Sequence, residues 1–121
     1  MKNSEQISAF LRFCTESEKN LAGASVRELQ LNNTTQDILH DLELGDLNYK
    51  ERAKVATKLA GVRRERRVEK DTIEELEDFV SWYTDPVTKR VLDQLRNVLG
   101  KVRKQEEYHE NRSYKKKGDK F

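Results

Sequence analysis

The side chains in this sequence best suited to chemistry are cations. Arg63, Arg66, Arg67 and Lys70 fall at i, i+3, i+4 and i+7, so on a helix they share one face. Arginine presents a rigid fork of donors that matches phosphate and carboxylate and keeps its charge when partly buried. From Lys50 to Lys70 the chain carries nine Lys/Arg against three Glu. Such a helix either solvates a basic face or holds an anion, as a bound ligand or an acidic partner surface. Two further groups could complete a nucleotide site. Phe79, Trp82 and Tyr83 precede the Asp85-Pro86 bend, where they either close the end of a helix pair against Ile7 and Phe10 or stack on a base. His109 sits among Asn111, Arg112 and Tyr114, which offer donors and a ring.

Signatures of catalysis are absent. The sequence has no Gly-rich phosphate loop, no His/Cys metal spacing and no Ser or Cys nucleophile in a recognisable frame. His40 reads as a surface or seam residue, and Cys14 falls on an apolar stripe. The expected activity is binding without turnover, with no catalytic residue, metal or cofactor.

Composition bounds the architecture that presents these groups. In 121 residues, 38% are charged, 35% hydrophobic and 7% aromatic, with a single proline. One domain at most fits this length. High charge with few breakers points to a helical bundle or coiled coil rather than to disorder. So few apolar side chains can line narrow seams between long helices, and self-association would enlarge those seams. The net charge of +2 hides segregation: residues 1–47 carry four Lys/Arg against eight Asp/Glu, and residues 101–121 carry eight against four. That layout argues against a uniformly basic coat for nucleic acid and for local anion sites. A lone Cys14 excludes an intrachain disulfide and fits a cytosolic protein. There is no apolar run of signal-peptide length at the N-terminus, and none of about 18 residues that would span a membrane.

The periodicity predicts an all-α protein: a long antiparallel helical hairpin, a third amphipathic helix and a short extended C-terminal segment, assembled as an oligomer. The first helix starts with Ser4 as cap, carries Ile7, Phe10, Leu11, Cys14, Leu21, Leu29, Ile38, Leu39 and Leu42, and stops at Gly45-Asp46. Asn48 and Glu51 form a capping-box start for the second, whose seam is Val55, Leu59, Val62, Ile73, Leu76, Val80 and Tyr83. Asp85-Pro86 ends it and opens the third, with Val87, Val91, Leu92, Leu95, Val98, Leu99 and Val102. Beyond Lys104 this rhythm stops, which predicts that Tyr108–Tyr114 is extended or a docking loop. A single helical domain over 1–114 and a basic flexible tail over 115–121 follow.

Matching apolar with apolar between the first two helices gives a register in which paired positions sum to about 91. Leu29 then meets Val62, while Arg66 faces Ser25 and Glu69 faces Ala22. On that register Arg66 is an unpaired cation at a seam position, and leucine there would leave stability unchanged or raise it.

From Leu42 through Tyr114, about 70 residues, the chain resembles a family of small proteins of temperate phages of Gram-positive bacteria. The resemblance rests on LELGDLNYKERAKVATKL, the RRERR run and LRNVLGKVRKQEEYHENRSY. More specifically it is similar to phage anti-Thoeris sponges, which sequester cyclic ADP-ribose isomers. The resemblance implies oligomeric helical protomers in the host bacterial cytosol that enclose a cyclic nucleotide signal, with cyclic oligonucleotides as further ligands of some relatives. It places Asn111, Arg112 and Tyr114 in the pocket with a contribution from Arg63–Arg67, and Phe79 or Trp82 as the stacking ring. The expected partners are therefore a second copy of the chain and an anionic cyclic nucleotide, with no membrane. Two rivals remain at this point: a helical interaction module that docks on a host or phage protein, and a nucleic-acid-binding accessory protein.

Overall fold

The structure is a computed structural model that describes residues 1–112. It is all-helical: α1 spans Asn3–Leu44, α2 Tyr49–Thr84 and α3 Pro86–Asn111. Among the described residues there is no strand, and no helix is long and apolar enough to cross a membrane.

The breaks between helices have local causes. At the end of α1 the Gly45 N–H donates to the Asp41 carbonyl at 2.9 Å. A Cβ on Gly45 would sit 2.5 Å from that same oxygen, so the closure needs glycine. Asn48 Oδ1 accepts from the Glu51 N–H at 2.8 Å, and Asn48 Nδ2 donates to Glu51 Oε1 at 2.9 Å, the capping pair that the sequence predicts. Asp85 caps α3 by accepting from the Val87 N–H at 2.8 Å, with Pro86 in the first turn. Two expectations fail at the chain's ends. Ser4 is not a cap, because α1 starts one residue earlier and Ser4 is buried, with its N–H donating to Glu106 Oε2 at 3.0 Å. Nor is the segment from Tyr108 extended: α3 continues through Asn111, and only Arg112 adopts extended backbone. The apolar rhythm does fade there, but cross-helix polar contacts take over its role. Tyr114 and the tail 115–121 lie outside the described residues.

The contacts divide into two compact units. The first joins Met1–Cys14 to the chain from Tyr83 onward. Its core is Ser4, Leu11, Cys14, Tyr83, Thr88, Leu92 and Leu99, and with half-buried Leu95 and Val102 α3 contributes at alternating steps of four and three. Lys2 pairs with Glu110, and Ser4 with Glu106, so α1's first turns lie beside α3's last turns in opposite order. The Cys14 thiol is fully buried, and this burial pushes its pKa up. Val87, Val91 and Val98, expected to share the stripe, instead stay 62%, 54% and 46% exposed. They sit beside the stripe because seven valines and leucines cannot all face one narrow seam.

The second unit is Thr15–Trp82. In it α1 buries or half-buries Ser17, Leu21, Ala24, Glu28, Leu31, Thr35, Ile38 and Leu42, and α2 does so with Val55, Leu59, Val62, Arg66, Glu69, Ile73, Leu76 and Val80. Steps of three and four throughout are the signature of a seam about one side chain wide. Thr35 is buried at the polar centre of α1 without loss, because its hydroxyl donates to the Leu31 carbonyl at 2.9 Å.

Two predictions follow from these ends. Asp85→Ala removes the α3 cap and should lower stability by about 1 kcal/mol, read as a drop in melting temperature by circular dichroism. Hydrogen bonds from Ser4, its side chain first and its backbone N–H second, hold the Glu106 carboxyl below the usual glutamate range. A lowered folded-state pKa means that folding favours the charged form. Its contribution is therefore complete above the ordinary glutamate pKa and is lost as pH falls through the lower folded value. Protection of the Ser4 amide, measured against its intrinsic exchange rate at each pH, should fall on acidification across that window, and Glu106→Gln should abolish this pH dependence.

Candidate functional site

The Arg-rich stretch lies in the interior of α2, far enough from either end that its spacing is helical throughout. Arg63, Arg66, Arg67 and Lys70 together line one groove of about 210 Å³. Arg63 and Arg67 are exposed, while Arg66 and Lys70 are half-buried. Arg67 reaches Asp71 at 3.7 Å along its own helix, and Arg66 reaches Glu28 on α1 at 3.4 Å. Among the described residues neither Arg63 nor Lys70 has a carboxylate partner. The groove thus holds four cations against two carboxylates, paired with Arg66 and Arg67, and this excess of positive charge attracts a small polyanion.

Its size sets a limit. Pockets that enclose a drug-sized ligand run to about 300–1,000 Å³, so this groove takes a phosphate or pyrophosphate and leaves a base outside. The aromatic residues are not placed to receive that base at the same face. Phe79 and Trp82 touch each other, with centroids 5.6 Å apart and planes tilted by 46°. At about 100° per residue, Phe79 lies some 160° around α2 from Arg63, on the opposite side of the helix. Trp82 is half-exposed, so it is the more available ring, yet it too lies off the arginine face.

The remaining expected site residues belong to the first unit. His109 packs edge-on to Tyr108, with centroids at 5.9 Å, and it lines a mainly apolar groove of about 270 Å³ with Asn3, Val98, Lys101, Val102, Gln105 and Glu106. Asn111 is the last residue of α3 and Arg112 its cap. Tyr114 lies outside the described residues. The structure therefore brings Arg63, Arg66 and Arg67 together and adds Lys70. It separates Phe79 and Trp82 from them by helix face, and it places His109, Asn111 and Arg112 in the other unit.

The register that matching apolar residues predicts needs correction. Arg27 Nε donates to Glu69 Oε1 at 2.8 Å and Arg66 Nε to Glu28 Oε1 at 3.4 Å, so paired positions sum to 96 and 94 rather than about 91. The helices are offset by roughly one turn, and Leu29 is left 59% exposed instead of meeting Val62. The physical reason is charge: the offset gives Arg66 and Glu69 opposite partners where the apolar register gave them Ser25 and Ala22. Opposed signs at Arg27-Glu28 and Arg66-Glu69 were the signal that could have revealed it. The same offset opens a groove of about 560 Å³ on the other flank of the seam, lined by Arg27, Gln30, Leu31, Thr34, Glu65, Val68 and Glu69. Hydrogen bonding to Glu69, and then its charge, raise the Arg27 pKa above its already high ordinary value.

No protein-family model, curated protein or solved structure matches the chain.

The corrected register reverses the expectation for Arg66. Its cation now has a partner, so Arg66→Leu strands Glu28 in the seam and should cost about 1 kcal/mol. The double variant Glu28→Leu/Arg66→Leu should recover that loss or exceed the parent, because two apolar residues replace a partly desolvated pair. Thermal melts of these two variants and of Glu28→Leu give the coupling directly. An Arg66→Leu protein as stable as the parent would mean that the pair contributes nothing.

Proposed function

We propose that the chain is a non-enzymatic binder that sequesters an anionic nucleotide-type signal, with Arg63, Arg66, Arg67 and Lys70 as the phosphate-binding groups. The observation that carries this reading is the groove itself: four cations converge on one face, and two of them have no carboxylate partner among the described residues. Guanidinium forks suit pyrophosphate oxygens, and an α2 seam on one side fixes the stems of Arg66 and Lys70. The resemblance to phage sponges of cyclic ADP-ribose isomers agrees with a pyrophosphate-bearing ligand. In this reading α1 and α2 form a helical hairpin, the protein acts in the host cytosol as an oligomer, and the signal is held rather than turned over. The role that the resemblance gave to Asn111, Arg112 and Tyr114 becomes secondary to the α2 groove.

A second reading has its own observation. Val87, Val91 and Val98 stay exposed on one face of α3 at helical spacing, and exposed apolar side chains aligned in this way suit an interaction surface. A helical module that docks on another protein through α3 would need no ligand in the arginine groove.

Isothermal titration separates the two. The parent protein should bind a cyclic ADP-ribose isomer with heat, and inorganic pyrophosphate should compete. Arg63→Ala/Arg67→Ala should lose two charge-assisted contacts, each contributing about 1.5–3 kcal/mol, and so weaken binding by about a hundredfold or more with an unchanged melting curve. Arg112→Ala should bind as the parent does. Absence of heat with the parent protein defeats the nucleotide reading and leaves the α3 strip as the functional surface. A loss confined to Arg112→Ala would move the site to the end of α3.

A further inference from the structure

The exposed stripe of α2 is not basic along its whole length. Residues 71–78, directly after the arginine stretch, carry five Asp/Glu and no Lys/Arg. Arg63, Arg67, Lys70, Glu74 and Asp78 follow one another at steps of four, three, four and four, so they form one stripe along the helix. All except the half-buried Lys70 are exposed. The groove of Arg63, Arg66, Arg67 and Lys70 passes at Lys70 into a second groove, lined by Glu28, Lys70, Ile73, Glu74 and Glu77. One face of α2 therefore changes sign at its midpoint.

This segregation is unfavourable for a helix alone in water. A solvated helix places opposite charges at i and i+4, whereas here Arg63 and Arg67 repel across that spacing, as do Glu74 and Asp78. Only the boundary brings opposite charges together, with Arg67 and Asp71 3.7 Å apart. The order of charges is a palindrome of opposite sign about the Lys70-Asp71 bond. When α2 is laid antiparallel on a second copy with that bond at the centre, Arg63 meets Asp78, Arg67 meets Glu74 and Lys70 meets Asp71. Two-fold symmetry repeats each pair, and no like charges oppose on the stripe.

We infer that the exposed face of α2 is a self-association surface, on which two copies pair antiparallel and the Asp71–Asp78 segment of each fills the Arg63–Lys70 groove of the other. The inference rests on the oligomeric part of the reading above and not on its nucleotide part. Partner and anionic ligand draw on the same cations, so each weakens the other's hold on that groove. Because the contacts are exposed charge pairs, the association is salt-sensitive.

The test is a charge swap. Sedimentation of the parent protein at low ionic strength should give twice the 14.2 kDa chain mass, and about 0.5 M salt should return it toward the single chain. Arg63→Glu/Arg67→Glu leaves Lys70 as the stripe's one cation, and Glu74→Arg/Asp78→Arg makes the stripe wholly basic; in either variant alone positions 63 and 78, and 67 and 74, oppose with like charge, so pairing should weaken at least tenfold. Mixing the two should restore a heterodimer, because every stripe contact is then complementary. Far-ultraviolet circular dichroism checks that both variants remain helical, and the salt dependence of the parent stands as a test if either does not. A parent that is a single chain at low salt, a dimer indifferent to both swaps, or variants that fail to rescue each other overturns the inference. Titration of Glu74→Arg/Asp78→Arg with pyrophosphate keeps the two proposals apart, since that variant retains the arginine groove. Rescue without anion binding removes the nucleotide reading alone, and anion binding without rescue removes the pairing alone.

Discussion

Scarcity of apolar surface governs this molecule. With about a third of its side chains hydrophobic, the chain cannot surround a core, and it buries what it has in seams one residue wide. A seam of that width leaves little room for large side chains on both sides. Ala24, Cys14 and Ser17 are the most completely buried residues of α1, and all are small. It also leaves few apolar contacts to fix how one helix slides along another. Polar pairs then decide what packing cannot.

The pairs Arg27–Glu69 and Glu28–Arg66 show that division of labour in the second unit. Sliding by one turn in a heptad seam exchanges apolar residues for apolar residues at modest cost. The same slide separates both ion pairs and leaves Glu28, Arg66 and Glu69 unpaired in the half-buried seam, which costs more than the apolar exchange. Buried polar groups that set register at some expense of stability are a known use of such residues in coiled coils. In the first unit Lys2–Glu110 and Ser4–Glu106 have a similar place, extending α3 beyond the point at which its apolar stripe fades.

This explains what could be read from the sequence and what could not. The seam residues of α2, the breaks at Gly45 and Asp85-Pro86, and the Asn48–Glu51 cap were all legible, because each depends on side chains within a few positions of one another. The start of α1 and the end of α3 were not, since Ser4 and Glu106 define them across 102 positions of sequence. The register failed for a related reason: matching apolar residues weighs the interactions that are most nearly interchangeable. The Arg63–Arg67 cluster was legible because helical spacing alone assembles it. Phe79 and Trp82 lie off the face of that cluster on the same helix, as their angular position in the sequence already implies. His109 reads as part of a polar cluster in sequence, but a continuing helix turns it toward Val98 and Val102 instead.

Cys14 has a practical consequence for this fold. It is the chain's only thiol, it has no measurable exposure, and its apolar surroundings disfavour the thiolate that alkylating reagents attack. In the closed protein the reagent is excluded twice, by access and by ionisation. Labelling therefore proceeds only through openings of the first unit, and its rate counts them. A single mass increment on one residue separates fraying of the chain ends, which leaves Cys14 covered, from the cooperative opening that exposes it.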